Sequence, residues 1–131
     1  MIVLDTHALV WWIGGGALGK EARAAIEHES ATDGEILVST ITAWEIALLV
    51  RRGKLALAMD VGDWIDKVGR INGVRFVPVD RRIAVQSVDL PGELHDDPAD
   101  RFIVATARSL SAPLVTKDRN IRAYEHVRTI W

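Results

Sequence analysis

Met1-Ile2-Val3-Leu4 is a continuous apolar run closed by Asp5, and Pro113-Leu114-Val115-Thr116 is another, closed near Asp118. Runs this short are not helices, and with no polar face they read as strands covered on both sides. Ile36-Leu37-Val38 and Val74-Arg75-Phe76-Val77 are two further candidates. Between them the hydrophobic period lengthens. Leu18, Ala22, Ala25 and Ile26 form one helical stripe, and Val61, Trp64, Ile65 and Val68 form another, with Asp63/Lys67 and Asp66/Arg70 spaced as i,i+4 pairs on its wet side. Further helices are expected over Thr40 to Arg51, Asp80 to about Asp89, and Pro98 to about Leu110. Strands alternating with helices predict an α/β fold whose mostly parallel sheet is covered by helices.

The composition suits one such domain. At 131 residues, 49% hydrophobic and 26% charged, the chain is the size at which a single hydrophobic core holds a fold without staples. It contains no cysteine, so disulfides, thiolate metal sites and cysteine nucleophiles are excluded. The longest stretch free of charged or strongly polar groups, Ala8 to Leu18, contains three consecutive glycines and is short of the roughly 20 residues a membrane span needs. Asp5 and His7 interrupt what would be the apolar segment of a signal peptide, so a cytoplasmic setting is expected. Gly14-Gly15-Gly16 lacks the spacing and the following lysine of a phosphate-binding loop.

Four acids fall where a carboxylate is costly or exposed to ligand. In open α/β sheets ligands bind beyond the carboxyl ends of the strands, and Asp5 and Asp118 sit at two such ends. Each is also a good N-cap for the helix that follows. Glu45 lines up with Ile41, Leu48 and Leu49 on the apolar stripe of its helix. Burying it there is costly without a cation or hydrogen bonds; the alternative is a capping box, Thr42-Ala43-Trp44-Glu45, with Glu45 bonding back to the Thr42 amide. In His95-Asp96-Asp97-Pro98-Ala99-Asp100, Pro98 opens a helix that Asp97 caps, whereas Asp100 aligns with the apolar Ile103, Val104 and Ala107. Four convergent carboxylates must share protons or hold a hard cation, and an all-oxygen set suits Mg²⁺ or Mn²⁺ rather than Zn²⁺ or Cu²⁺. Such an ion typically completes its shell with waters and a substrate phosphate, so phosphoryl chemistry follows.

These segments, MIVLDTHALVWW, STITAWEIALLVRRGKL, DDPADRFIVATA and LVTKD, resemble the PIN-domain family of metal-dependent ribonucleases, and within it the VapC toxins of toxin–antitoxin pairs. The likeness covers essentially the whole chain, and its order and spacing are more specific than any one segment. It implies a single PIN-like domain over residues 1–131, with a three-layer α/β/α architecture and a five-stranded sheet of order 3-2-1-4-5. By the resemblance, Asp5 and Asp100 match the principal metal ligands. Glu45 and Asp118 complete the acidic pocket, directly or through water, with Thr6 and Thr116 in support; an alignment shifted by three would give the third position to Asp97. It also implies Mg²⁺ or Mn²⁺ as cofactor, RNA as substrate, a homodimer, no membrane association, and a VapB-like antitoxin that occludes the pocket. Gly14-Gly15-Gly16-Ala17-Leu18-Gly19 departs from the more polar, capped turn of the family.

His7, His95 and Arg101 lie beside these acids, and a structural or substrate-side role is expected of both histidines. Trp11 and Trp12 are adjacent on one helix and cannot both face the core: either one is exposed at an interface, or one packs inside while the other lies under the glycine loop. Lys117, Arg119, Arg122 and Arg128, with Arg51-Arg52-Gly53-Lys54, supply basic groups of the kind that track a nucleic-acid backbone. The net charge of −2 argues against indiscriminate binding of nucleic acid, but without the four candidate acids sixteen basic residues face fourteen acidic ones, a net +2. A phosphatase or nucleotide hydrolase using the same acids is the chemical rival, and a non-catalytic PIN-like binding module is the other; Asp5-Thr6-His7 lacks the paired aspartates of haloacid-dehalogenase-type phosphatases.

Overall fold

Five short strands, Ile2–Leu4 (β1), Ile36–Ser39 (β2), Val74–Val77 (β3), Leu114–Val115 (β4) and Thr129–Ile130 (β5), form one sheet in a computed structural model that describes residues 1–131. Their order is β3-β2-β1-β4-β5 and every pairing is parallel, so the sheet is wholly rather than mostly parallel. Seven helices connect the strands: Thr6–Gly14 (α1), Lys20–Ala31 (α2), Thr40–Arg51 (α3), Val61–Gly69 (α4), Arg81–Val88 (α5), Pro98–Ser109 (α6) and Arg119–Ala123 (α7).

The alternation of side chains along each strand explains the continuous apolar runs. Val3, Leu37 and Leu114 enter one core with Ile83 of α5, Ile103 of α6 and Ile121 of α7, whereas Ile2, Leu4, Ile36, Val38 and Val115 enter the other with Leu9 of α1, Ile26 of α2, Ile46 of α3 and Trp64 of α4. Helices thus cover both faces, giving three layers, and neither side of a central strand can be polar. Truncating a fully buried residue such as Leu4 to Ala is expected to cost about 2–5 kcal/mol. No helix is long and apolar enough to cross a membrane.

Local signals set the helix ends. Asp5, Ser39, Asp60, Asp80, Asp97 and Asp118 each accept a hydrogen bond from the first turn of the helix they precede, and Pro98 occupies that turn in α6. At the far end of α1, Gly15 adopts φ +74° and donates to the Trp11 carbonyl, a left-handed cap that suits glycine. The expected Asp63/Lys67 and Asp66/Arg70 pairs are not among the ion pairs; on an exposed surface such contacts offset little of the side-chain entropy they cost.

The chain turns back on itself at β1. From β1 it builds outward through β2 to β3, then returns to lay β4 on the other side of β1. Such a reversal opens a crevice beyond the carboxyl ends of the two strands flanking it, where Asp5 and Thr116 stand.

Candidate active site

That crevice is a cavity of about 530 Å³, lined by Asp5, Glu45, Asp97, Asp100 and Asp118 together with Thr6, His7, Trp11, Lys117 and Arg119. All four carboxylates expected from the sequence therefore reach one space, delivered by the ends of β1 and β4, the second turn of α3 and the first turn of α6.

Each acid is held through one oxygen by a donor of the protein. Asp5, the residue after β1, accepts the Ala8 amide on Oδ1 at 2.8 Å as cap of α1. Asp118 accepts the Ile121 amide on Oδ1 at 3.0 Å, and its own amide donates to the buried Thr116 hydroxyl at 3.1 Å. Glu45 Oε1 accepts from the Thr6 hydroxyl. Because the Thr6 proton is committed to Glu45, the Thr42 hydroxyl donates to Thr6 Oγ1 at 3.1 Å, giving a relay from Thr42 through Thr6 to Glu45. This corrects the capping-box alternative. Ser39, not Thr42, caps α3, which starts at Thr40, and Glu45 bonds the Thr6 hydroxyl instead of the Thr42 amide.

Asp100 is held differently. Its Oδ2 lies 2.7 Å from His95 Nε2, and its amide donates to Asp97 Oδ1 at 3.0 Å. Asp97 thus lines the cavity while capping α6, as its sequence position predicted. Arg101 makes no bond to Asp100. Its guanidinium donates to the carbonyls of Ser87 and Leu94 at 2.8 Å, Val88 at 3.2 Å and His95 at 3.4 Å, tying down the loop that carries His95. Arg101 thus fixes His95, and His95 fixes Asp100. With Asp100 ionised, Nε2 is the protonated nitrogen and Nδ1 is left as a bare buried acceptor without a partner.

The electrostatics of the cavity are unfavourable to bare carboxylates. Burial raises the Asp5 carboxyl above its ordinary value of 3.8 and the Glu45 charge adds to the rise, while the Thr116 hydroxyl, the Ala8 amide and His7 act in the opposite direction. Burial likewise lifts Asp100 to about 6; Asp97 and Asp118 push it further up and His95 pulls it back. Acids that resist ionisation at this distance from one another are the arrangement a cation relieves.

The donor set fits a hard divalent ion. Glu45, Asp100 and Asp118 each spend one oxygen on a protein donor and keep the other free, and none of those free oxygens is sealed from solvent without a partner. One donor atom each from His95, Asp100 and Asp118 lies within 4.8 Å of the others, a tighter group than the four carboxylates form together. His95 is the residue sequence reasoning undervalued. It sits five positions from Asp100 across a loop, a spacing with no helical or strand period to signal contact.

Of the two readings of the adjacent tryptophans, the second holds. Trp12 packs on the core, while Trp11 lies under the glycine loop, where a Cβ at Gly16 would come within 2.5 Å of its ring. The exposed tryptophan is Trp44, at 54%, on the outer side of α3.

Comparison with known proteins adds to this geometry. A family model described as the PIN domain matches residues 2–127. Ribonuclease VapC22 of Mycobacterium tuberculosis is 36% identical over 133 residues, spanning 99% of this chain and 98% of that one. The fold is shared with a DNA-bound VapBC of Salmonella typhimurium (TM-score 0.69, 21% identity, covering 98% and 97% of the two chains). It is also shared with VapBC2 of Rickettsia felis bound to a fragment of its promoter (TM-score 0.69, 17% identity, covering 98% and 97%).

Proposed function

The chain belongs to the PIN domain family, and on that premise we propose that it is an endoribonuclease that hydrolyses RNA phosphodiesters with a divalent cation, Mg²⁺ or Mn²⁺, as the toxin of a toxin–antitoxin pair. Residues 1–131 act as one PIN-like domain, in the cytoplasm, as a homodimer whose acidic pocket a VapB-like antitoxin occludes. The observation that carries this reading is the convergence of Asp5, Glu45, Asp100 and Asp118 on one solvent-reached cavity at the switch point of the sheet.

Asp5 and Asp100 are the residues that would hold the ion, with Glu45 and Asp118 joining directly or through water. A divalent cation bound there supplies a more acidic water and neutralises charge on the scissile phosphate. The rest is done by the chain. Thr6 fixes Glu45, leaving Oε2 free to take the proton of an attacking water. Thr116 holds the turn that presents Asp118. Lys117 and Arg119, exposed at the cavity, meet phosphates on either side of the one being cut.

Expression of wild type and Asp5→Asn in a bacterial host, followed by mapping of new RNA ends, tests the reading. Growth arrest with discrete new ends is expected from wild type only. Identical RNA ends from both proteins, or arrest without any cleavage, would contradict it.

A further inference from the structure

The cavity has a second wall that the chemistry of the acids leaves unused. Trp11 lines it one helical turn beyond His7, with the ring centroids 5.7 Å apart, and the Lys117 ammonium lies 5.4 Å over the Trp11 ring. The ring is braced by two further contacts. Gly16 packs so closely on it that any side chain there would collide, and Trp131 meets it edge-on at 5.6 Å. Lys117 and His7, by contrast, are exposed. A braced aromatic ring that lines a polar, acid-lined cavity beneath a flexible cation is poorly explained by core packing: Trp12, its neighbour, already fills that role.

We propose that Trp11 is a nucleobase-stacking subsite and that Lys117 is its exchangeable cover. This assignment rests on the ribonuclease reading and adds to it which part of the RNA is held beside the cleavage point. A strand entering the cavity brings a phosphate and a base together. The ammonium gains more from a phosphate oxygen than from a ring face, so it leaves the indole for the backbone, and the uncovered indole accepts the base next to the scissile phosphate. His7, tilted 50° to Trp11, extends the platform on its exposed side. Every base has a π face, so the subsite holds a nucleotide in register without choosing its identity.

The test uses the full chain and a short RNA that spans a mapped cleavage site, with abasic ribose replacing the nucleosides on each side of the cut one at a time. At one position the loss of the base is expected to raise KM about tenfold with kcat little changed. In Trp11→Leu the intact strand should already show the raised KM, and the abasic substitution should add nothing. Lys117→Gln, a surface change, keeps the fold, retains the base effect and lowers the salt dependence of binding by about one phosphate contact. Binding of the same strands to Asp5→Asn gives a readout independent of turnover. Cleavage and binding that ignore the base at every position, or an abasic penalty as large in Trp11→Leu as in wild type, overturn the subsite alone. Absence of both cleavage and binding overturns the ribonuclease reading with it. Trp11-dependent capture of an arginine-bearing peptide, with RNA binding insensitive to the base, gives the ring to a protein partner and also overturns the proposal.

Discussion

Asp5 and Asp100 line one cavity but are held there by different means. Asp5 is 7% exposed and follows β1 directly, so the central strand and the first turn of α1 set its position. The Asp100 side chain is 23% exposed and stands in the first turn of α6, where a loop histidine fixed by Arg101 orients it. One acid is placed by backbone and the other by a chain of side chains. The first half of the site is therefore as robust as the sheet, whereas the second can be loosened from residues that never touch substrate.

The largest effect should erase this difference. Asp5→Asn and Asp100→Asn remove a charge from the proposed ion site, and each is expected to lower cleavage by about three orders of magnitude, several kcal/mol of transition-state stabilisation. Asn retains the capping oxygen at position 5, and circular dichroism should show both variants folded. A variant that keeps more than a tenth of wild-type cleavage would remove its acid from the site.

Stability against pH should isolate the Asp100 half next, once the slope of the same sign from the Asp5 carboxyl, also raised by burial, is subtracted. The folded-state value of Asp100, about 6, lies above its ordinary 3.8. Between those values the folded protein holds a proton that the unfolded chain has released, so in EDTA stability falls as pH rises through this window. The penalty is absent below pH ~4 and complete above pH ~6, at up to about 3 kcal/mol less what solvent screens. The difference in denaturant-derived stability between wild type and Asp100→Asn, measured across pH 4 to 7, isolates it. Saturating Mg²⁺ should flatten the slope, and a slope unchanged by Asp100→Asn would rule out this carboxyl as its source.

Smaller effects test the positioning groups. His95→Ala should weaken divalent-ion affinity by about 10–100-fold, the usual range for a residue that orients a ligand, with little change in overall stability. Thr6→Val, which breaks the relay to Glu45, should cost less, because in the proposed site Glu45 would join the ion directly or through water rather than as a principal ligand. Titration calorimetry with Mn²⁺ gives both numbers. Equal losses would show that the two halves are held equivalently after all.

What was legible in the sequence follows from the range of the forces involved. The runs of the three central strands, the Asp97-Pro98 start of α6 and the extent of α3 could be read because each is decided by neighbours within a turn or by burial on both faces. The two residues of β5 and the five of α7 carry no period of their own; β5 exists through its register with β4, Leu114 opposite Thr129. Glu45 was recognisable as out of place in an apolar stripe, but its partner Thr6 is 39 positions away. The hold of His95 on Asp100 was equally hidden, since it depends on a loop shape that Arg101 imposes. Trp44 stands outside because only one side of α3 meets the rest of the fold.

RNA cleavage by this protein should need a divalent cation held by acids from both halves of the cavity. The decisive assay is cleavage of an end-labelled RNA by wild type, Asp5→Asn and Asp100→Asn, each in EDTA and again after Mg²⁺ or Mn²⁺ is restored. Cleavage is expected only from wild type and only with the metal present. Cleavage by wild type in EDTA, or by either variant at the wild-type rate, would contradict a metal site shared between the two acids.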